Sequence, residues 1–193
     1  MSAFLAPIHF WLYEKISFQE QFIRFLSENA LSKGFLDGID DFVSDLPDLR
    51  TAIDLSDIHG WLQAKIDDSE KRLALLAKTI CEKENIEHII SLSKDFGKLH
   101  AISASSDAQD AAKALNDTLL NGMPCDVVEE KIESSSERVA WKNVTDIHAK
   151  YWESVGLKAA DYWQIREAII RGLLCNTALD FAEDEGVFEI RKR

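Results

Sequence analysis

The sequence predicts a mainly α-helical protein, a multi-helix single domain with at most a small two-stranded ribbon. Apolar residues recur at helical spacing along most of the 193 residues, only three prolines interrupt them, and one helix-forming segment occurs twice. This length is sufficient for one domain with a proper core. We therefore expect one domain over 1–193, with a repeat-bearing half at 1–102 and a second half at 107–193, joined by the serine-rich stretch 103–106.

The first half is predicted to be helical along most of its length. Pro7 suits the first position of a helix, because its missing N–H would have no partner there, and Gly34 ends that helix. Ser56 and Asn85 carry side chains that cap helix N termini. The expected elements are a helix over 7–32, a short acidic helix over 35–46, a connection with one turn near 49–53 and a helix from 57 towards 84. Asn85 either caps a further helix to about residue 99 or interrupts one long helix that reaches the same point.

The second half is predicted to contain four helices and the two strands of the ribbon. Weak alternation of apolar and polar residues in two short segments indicates strands that can pair. Gly172, within the last long helix, predicts that another backbone approaches closely. The expected elements are a helix over 107–122, a helix from 124 to about 132, a strand over 138–142, helices over 146–155 and 159–183, and a strand over 187–191.

The composition limits the classes of partner and the cellular compartment. The net charge of −12 disfavours nucleic acids and anionic membranes, because the protein would repel their phosphates. Cys81, Cys125 and Cys175 are far apart and odd in number, which argues against a secreted disulfide scaffold. No signal-peptide pattern and no apolar run of membrane-spanning length occur. We therefore expect an acidic cytoplasmic protein.

An internal repeat is the most informative feature of the sequence. The segments 7–26 and 57–76 align so that eight of nineteen positions between 8–26 and 58–76 are identical. The shared residues fit within about half the circumference of a helix, so the repeat preserves one packing face with a histidine and a glutamate at its edge. A partial third copy, Asp-Ile-His, ends at His148.

Two arrangements of the repeated helices would bring their polar residues together. If the helix starts converge, His9 meets His59. If the helices run antiparallel in register, His9 meets Glu70 and His59 meets Glu20. The first arrangement gives a histidine cluster, and the second gives two buried His–Glu pairs.

The favoured functional hypothesis is a metal or metallocofactor site formed by His9, His59, His148 and Cys125. Each histidine lies about three residues into a predicted helix, and Cys125 lies at the start of another. The positive end of a helix favours neutral imidazole and thiolate, the forms that bind metal. Such ligands suit Zn or Fe, or haem iron as axial ligands. Hydrolytic chemistry, redox chemistry and sensing all fit such a centre.

Aromatic residues close to these histidines are candidates for a cofactor-binding wall. Trp11, Trp61 and Trp152 each lie within four residues of a candidate ligand and would enclose a dry pocket for a flat molecule. They also fit the ordinary apolar positions of packed helices. The expected partners are therefore a small molecule or a metal ion, and self-association into a homo-oligomer is left open.

Two alternative functions remain open at this point. The repeated face can be a purely structural product of duplication, which would make the protein a helical interaction or structural subunit without a catalytic site. Cys125 can instead be the reactive thiol of an enzyme, paired with His148 or His9. The sequence contains no phosphate-binding loop or other catalytic signature that assigns a reaction.

Overall fold

The computed structural model describes residues 4–193 and shows a fold that mixes helices with a sheet. The elements are α1 (Pro7–Ser32), α2 (Leu49–Ala52), α3 (Ile58–Cys81), α4 (Ile86–Leu99), α5 (Ala108–Thr118), β1 (Glu129–Ser134), β2 (Arg138–Asn143), α6 (Ala149–Ser154), α7 (Ala159–Leu173), β3 (Leu179–Asp184) and β4 (Val187–Lys192). The predicted class, mainly α with at most a two-stranded ribbon, is wrong, because the sheet has four strands.

The sheet is antiparallel, with the strand order β1-β2-β4-β3. The two segments expected to form a ribbon are its central strands, and Arg138 of β2 lies opposite Arg191 of β4. A two-residue turn joins β3 to β4, and both of its residues, Glu185 and Gly186, have positive φ. This is the turn geometry that matches the twist of a hairpin.

The two additional strands lie in segments that were predicted to be helical. All six residues of the edge strand β1 are exposed, so buried and exposed residues do not alternate along it. The helix expected from 124 to about 132 does not form. The helix predicted over 159–183 ends at Leu173, and β3 follows it. Leu179 and Phe181 alternate with more exposed residues, a period of two that marks a half-buried strand.

Two other predicted helices differ from the observed chain. The segment 35–46 consists of turns and bends, and Leu36 and Phe42 bury their side chains without helical structure. The helix predicted over 146–155 is the shorter α6, so His148 occupies its N-cap position instead of its first turn.

The repeated segments make up most of α1 and α3, and the two helices pack side by side in parallel. His9 lies beside His59, and ten residues further along Gln19 donates a hydrogen bond to Ser69 at 3.2 Å. Each pair joins equivalent positions of the repeat. A separate hydrophobic cluster covers this end of the helices, and it includes Leu12, Ile16, Leu62 and Ile66.

The larger hydrophobic core lies between the remaining helices and the sheet. It joins α4 and α7 to the second halves of α1 and α3 and to the inner face of the sheet. Gly97 of α4 and Gly172 of α7 face each other so closely that a Cβ on Gly172 would lie 2.7 Å from the Cα of Gly97. This contact confirms the close backbone approach predicted from Gly172.

Within residues 4–193, no helix is both long enough and apolar enough to cross a membrane.

Candidate functional site

The structure brings two of the predicted metal ligands together. The ring centroids of His9 and His59 are 5.6 Å apart at the adjacent N termini of α1 and α3. His9 is buried and His59 is exposed. Of the two arrangements considered from the sequence, this is the one in which the helix starts converge.

The hydrogen bonding of His9 determines which of its nitrogens carries the proton. The backbone N–H of Ala6 donates to His9 Nδ1 at 3.0 Å, so a neutral ring carries its proton on Nε2. Burial, and then the charge of His59, lower the pKa of His9 from its ordinary value of 6.5. The neutral ring is therefore favoured, but its bare nitrogen is already occupied by Ala6.

His148 lies in a different part of the molecule. Its Nδ1 is 3.2 Å from Glu70 Oε2, and Glu70 follows His59 by eleven residues on α3. That separation corresponds to roughly 16 Å along the helix axis. Among residues 4–193, no three His, Cys, Asp or Glu side chains are grouped as metal ligands.

The remaining predicted site residues occupy separate positions. Cys125 is exposed in the loop before β1 and does not start a helix. Trp152 is fully buried in the larger core. Trp11 donates from Nε1 to Asp117 Oδ1 at 2.9 Å, whereas Trp61 packs against Tyr13 with ring centroids 5.9 Å apart. These three tryptophans do not line a common cavity.

A buried polar cluster surrounds His148 and was not predicted from the sequence. His148 Nε2 lies 3.2 Å from Asn121 Oδ1 and 3.1 Å from the Tyr162 hydroxyl. Arg166 Nη1 donates to the same hydroxyl at 3.1 Å, and Gln19 Nε2 donates to Glu70 Oε1 at 3.2 Å. The cluster links α1, α3 and α7 through side chains that are mostly enclosed.

A cleft of about 450 Å³ lies between α5, α7 and the sheet. Four aromatic side chains contribute to its walls: Trp141, Trp163, Phe181 and Phe188. Trp141 and Phe188 stack at a centroid distance of 6.0 Å with only 17° between their planes. A volume in this range, an apolar wall and a few polar groups are typical of small-molecule sites. We name this cavity the aromatic cleft.

Arg166 supplies a positive charge to the wall of the aromatic cleft. Its Nη1 donates to the carbonyl oxygen of Leu120 at 2.8 Å and to the Tyr162 hydroxyl. Within the described residues 4–193, Nε and Nη2 of Arg166 have no hydrogen-bond partner and no carboxylate within ion-pair distance. The guanidinium therefore retains the donors that can bind a carboxylate or a similar anion.

A buried lysine lies near the same arginine. Lys15 is only 3% exposed, and its Nζ lies 4.1 Å from the centre of the Trp11 ring. Burial and the charge of Arg166 lower the pKa of Lys15 from 10.5 to about 8, although Glu129 and Asp117 act in the opposite direction. Among the cationic side chains of the repeat, Lys15 has the pKa that is shifted most.

Sequence reasoning could have found part of this site. Trp163 and Arg166 are three residues apart on a predicted helix and therefore share a face. The aromatic residues of the sheet lie in segments whose pairing depends on the complete four-stranded fold. Lys15 was part of the repeated pattern, but its burial depends on α5, which no local pattern connects to α1.

Comparison of the chain with protein-family models, curated proteins and solved structures found no match.

Proposed function

We propose that this protein binds a small, flat, largely apolar molecule that carries a negative group, and that the aromatic cleft is its binding site. The single observation that carries the proposal is the presence of Arg166, with free guanidinium donors, in a cavity of about 450 Å³ walled by four aromatic rings. The rings provide apolar contact, and the guanidinium provides a charge-assisted hydrogen bond. The reaction, if the ligand is a substrate, is not assigned by these residues.

The other charges of the aromatic cleft are compatible with such a ligand. Glu129 accepts a hydrogen bond from Asn121 Nδ2 at 2.8 Å, and Glu167 accepts one from Arg171 Nε at 2.8 Å. Both acidic groups are therefore engaged with residues of the protein. Lys131 on β1 and Lys113 on α5 add two further cations to the cleft wall, of which Lys113 is paired with Asp117.

The proposal is tested by titrating the protein with 2-naphthoate while tryptophan fluorescence is recorded, because Trp141 and Trp163 line the cleft. We expect a saturable change with naphthoate and a much weaker one with the neutral analogue 2-naphthalenemethanol. Arg166→Gln should reduce naphthoate affinity by about tenfold or more, the usual effect of losing a hydrogen bond to a charged group. Arg24→Gln removes the same charge from a surface pair with Asp45 and should leave affinity unchanged.

Equal binding of the acid and the alcohol would contradict the role of Arg166. Absence of any saturable change, or an Arg166→Gln protein that folds normally and binds naphthoate as the wild type does, would remove the proposal.

A metal site at His9 and His59 is the second candidate, supported by their 5.6 Å ring separation. Before His9 can bind a metal, the Ala6 N–H must leave His9 Nδ1, either to free Nδ1 for the metal or to let the ring proton move there from Nε2. Titration with Zn²⁺ should then show saturable binding, and the affinity should fall at least tenfold in His59→Ala. Stoichiometric metal that persists in His59→Ala would exclude this site.

The other functional proposals are an interaction subunit and a thiol enzyme. Cys125 is exposed, so preferential alkylation of Cys125 over Cys81 and Cys175 at neutral pH is the test of the thiol enzyme.

We propose a cytoplasmic location, which the three unpaired cysteines support.

A further inference from the structure

Glu129 supplies the aromatic cleft with a carboxylate whose charge is not balanced by a neighbouring cation. The other acidic group of the wall, Glu167, forms an ion pair with Arg171 at 2.8 Å. Glu129 uses Oε1 to accept the hydrogen bond from Asn121 Nδ2. Within residues 4–193, its Oε2 accepts no hydrogen bond, and no cationic side chain lies within ion-pair distance, including Lys131 two residues along β1. Glu129 therefore retains an oxygen that can accept from a cation.

Arg166 and Glu129 are held near each other in the cleft wall without forming an ion pair. Arg166 Nη1 donates to the carbonyl oxygen of Leu120. Glu129 accepts from the side chain of Asn121, the next residue along the chain, whose Cα is about 3.8 Å away. The two hydrogen bonds therefore bring opposite charges to one region of the wall. Lys15 indicates the same proximity, since the charge of Arg166 acts to lower its pKa and that of Glu129 acts to raise it.

These two side chains offer complementary groups to one ligand. Nε and Nη2 of Arg166 remain available as donors, and Oε2 of Glu129 remains available as an acceptor. Neighbouring opposite charges in a wall match a ligand with a carboxylate and an ammonium close together. An α-amino acid has this arrangement, because one carbon bears both groups. A ligand with the carboxylate alone would bring a second anion towards Glu129.

The rest of the cleft wall suits the side chain of an aromatic amino acid. Trp163 precedes Arg166 by three residues on α7, so the two side chains share a face of the helix. The ring of Phe188 continues the apolar surface, with its centroid 5.7 Å from that of Trp163. A ring attached next to the two charged groups would therefore meet aromatic surface.

We propose that the ligand of the aromatic cleft is a free α-amino acid with an aromatic side chain. Its carboxylate binds the free donors of Arg166, its ammonium binds Glu129 Oε2 and its ring packs on Trp163. This inference rests on the proposed function, because it specifies the ligand of the same cleft. Glu129 is then the residue that selects an amino acid over the corresponding simple acid.

The test is a titration of the whole protein at pH 7 with three ligands of similar size, followed by tryptophan fluorescence. L-phenylalanine carries both charges, 3-phenylpropanoate lacks the ammonium and 2-phenylethylamine lacks the carboxylate. We expect L-phenylalanine to bind about fivefold more tightly than 3-phenylpropanoate, which is the upper range for an exposed ion pair. The amine should bind least, because it cannot use Arg166.

Two variants isolate the contribution of the carboxylate. Glu129→Gln should reduce the affinity for L-phenylalanine to about that for 3-phenylpropanoate, and should not weaken 3-phenylpropanoate, whose binding also shows that the variant folds. Glu130→Gln is the matched control, because it removes the same charge from the next residue of β1, which is exposed and does not line the cleft. This control should keep the preference for L-phenylalanine.

The results that would overturn the inference differ from those that would overturn the proposed function. If 3-phenylpropanoate binds and L-phenylalanine binds no more tightly, the amino-acid class is wrong and the cleft remains a site for simple acids. A preference that persists in Glu129→Gln, or is lost equally in Glu130→Gln, would contradict the role of Glu129. If neither acid binds, the inference fails, and the titration with 2-naphthoate decides whether the proposed function fails with it.

Discussion

The two copies of the repeated segment carry the same residue types in different surroundings. Lys15 of α1 is buried beside Trp11, whereas its counterpart Lys65 is only half-buried and lies 5.3 Å from the centre of the Trp61 ring. The difference arises because α5 and Arg166 lie beside the α1 copy. A repeated sequence therefore fixes which residues share a helix face, but the elements that pack over its edge decide their burial and charge.

The repeated glutamates, Glu20 and Glu70, also have different surroundings in the two copies. Glu20 of α1 is held by both guanidinium nitrogens of Arg72, at 2.5 and 2.8 Å, and its charge is balanced within the pair. Glu70 of α3 has Gln19 and His148 as neighbours and keeps one oxygen without a hydrogen bond. The α1 copy has a closed ion pair, and the α3 copy has an open acceptor.

The largest effect is expected from breaking the closed pair. Arg72→Met leaves the Glu20 carboxylate buried without a cation, which should lower the free energy of unfolding by about 3–5 kcal/mol. Glu70→Gln keeps a side-chain oxygen that can accept from Gln19 and should cost less. Urea denaturation at pH 7 measures the free energy of unfolding of both variants. A larger loss of that free energy in Glu70→Gln than in Arg72→Met would contradict the assignment of a closed ion pair to Glu20 and an open acceptor to Glu70.

The buried lysine should lower stability at neutral pH. The unfolded chain keeps the Lys15 proton up to about pH 10.5 and the folded chain only up to about 8, so unfolding takes up protons between these values. Stability should therefore rise with pH across this window, by at most about 3 kcal/mol. Lys15→Met should abolish the rise and stabilise the protein at pH 7. In Lys65→Met the stability should still rise with pH, because Lys15 remains in place. If the stability of Lys15→Met also rose between pH 8 and 10.5, the lowered pKa of Lys15 would not be its cause.

A smaller difference is expected between the repeated tryptophans. Trp11→Phe leaves Asp117 without the 2.9 Å hydrogen bond from the indole, at a cost of about 1 kcal/mol beyond the loss of ring area. Within residues 4–193 the Trp61 indole makes no hydrogen bond to another residue, so Trp61→Phe loses none. Thermal unfolding of the two variants should therefore rank Trp11→Phe as the less stable, and equal losses would show that the hydrogen bond contributes little.

The smallest effect concerns the paired histidines. Removing the charge of His59 in His59→Ala should raise the pKa of His9 towards 6.5, while burial keeps it below that value. Because the folded pKa is lowered, the contribution of His9 to stability is lost as pH falls below 6.5. Proton NMR titration of His9 measures the shift, and an unchanged titration in His59→Ala would show that the rings do not interact.

Local signals predicted the long helices well. Pro7 and Asn85 marked the starts of α1 and α4, and Gly172 correctly indicated the close approach of α4. The sheet was underestimated because β1 is an edge strand whose residues are all exposed and, apart from Ile132, polar. Its existence depends on pairing with β2, which is not visible in the local sequence of β1.

The candidate site was less predictable than the helices. The repeat correctly suggested that His9 and His59 can meet, but the third histidine lies beside Glu70, and that contact depends on how α6 packs on α3. The aromatic cleft combines residues from six elements, which only the complete fold brings together. Burial of Lys15 likewise depends on distant elements.

The glycine contact between α4 and α7 has a consequence for ligand size. Trp163 and Arg166 project from α7 into the aromatic cleft, and Gly172 faces α4 on the opposite side of that helix. A methyl group at Gly97 would meet the Ile169 carbonyl oxygen at 2.3 Å and would push α7 into the cleft. For the ligand proposed for the aromatic cleft, the size that fits would therefore depend partly on this glycine contact, which lies behind the cleft wall.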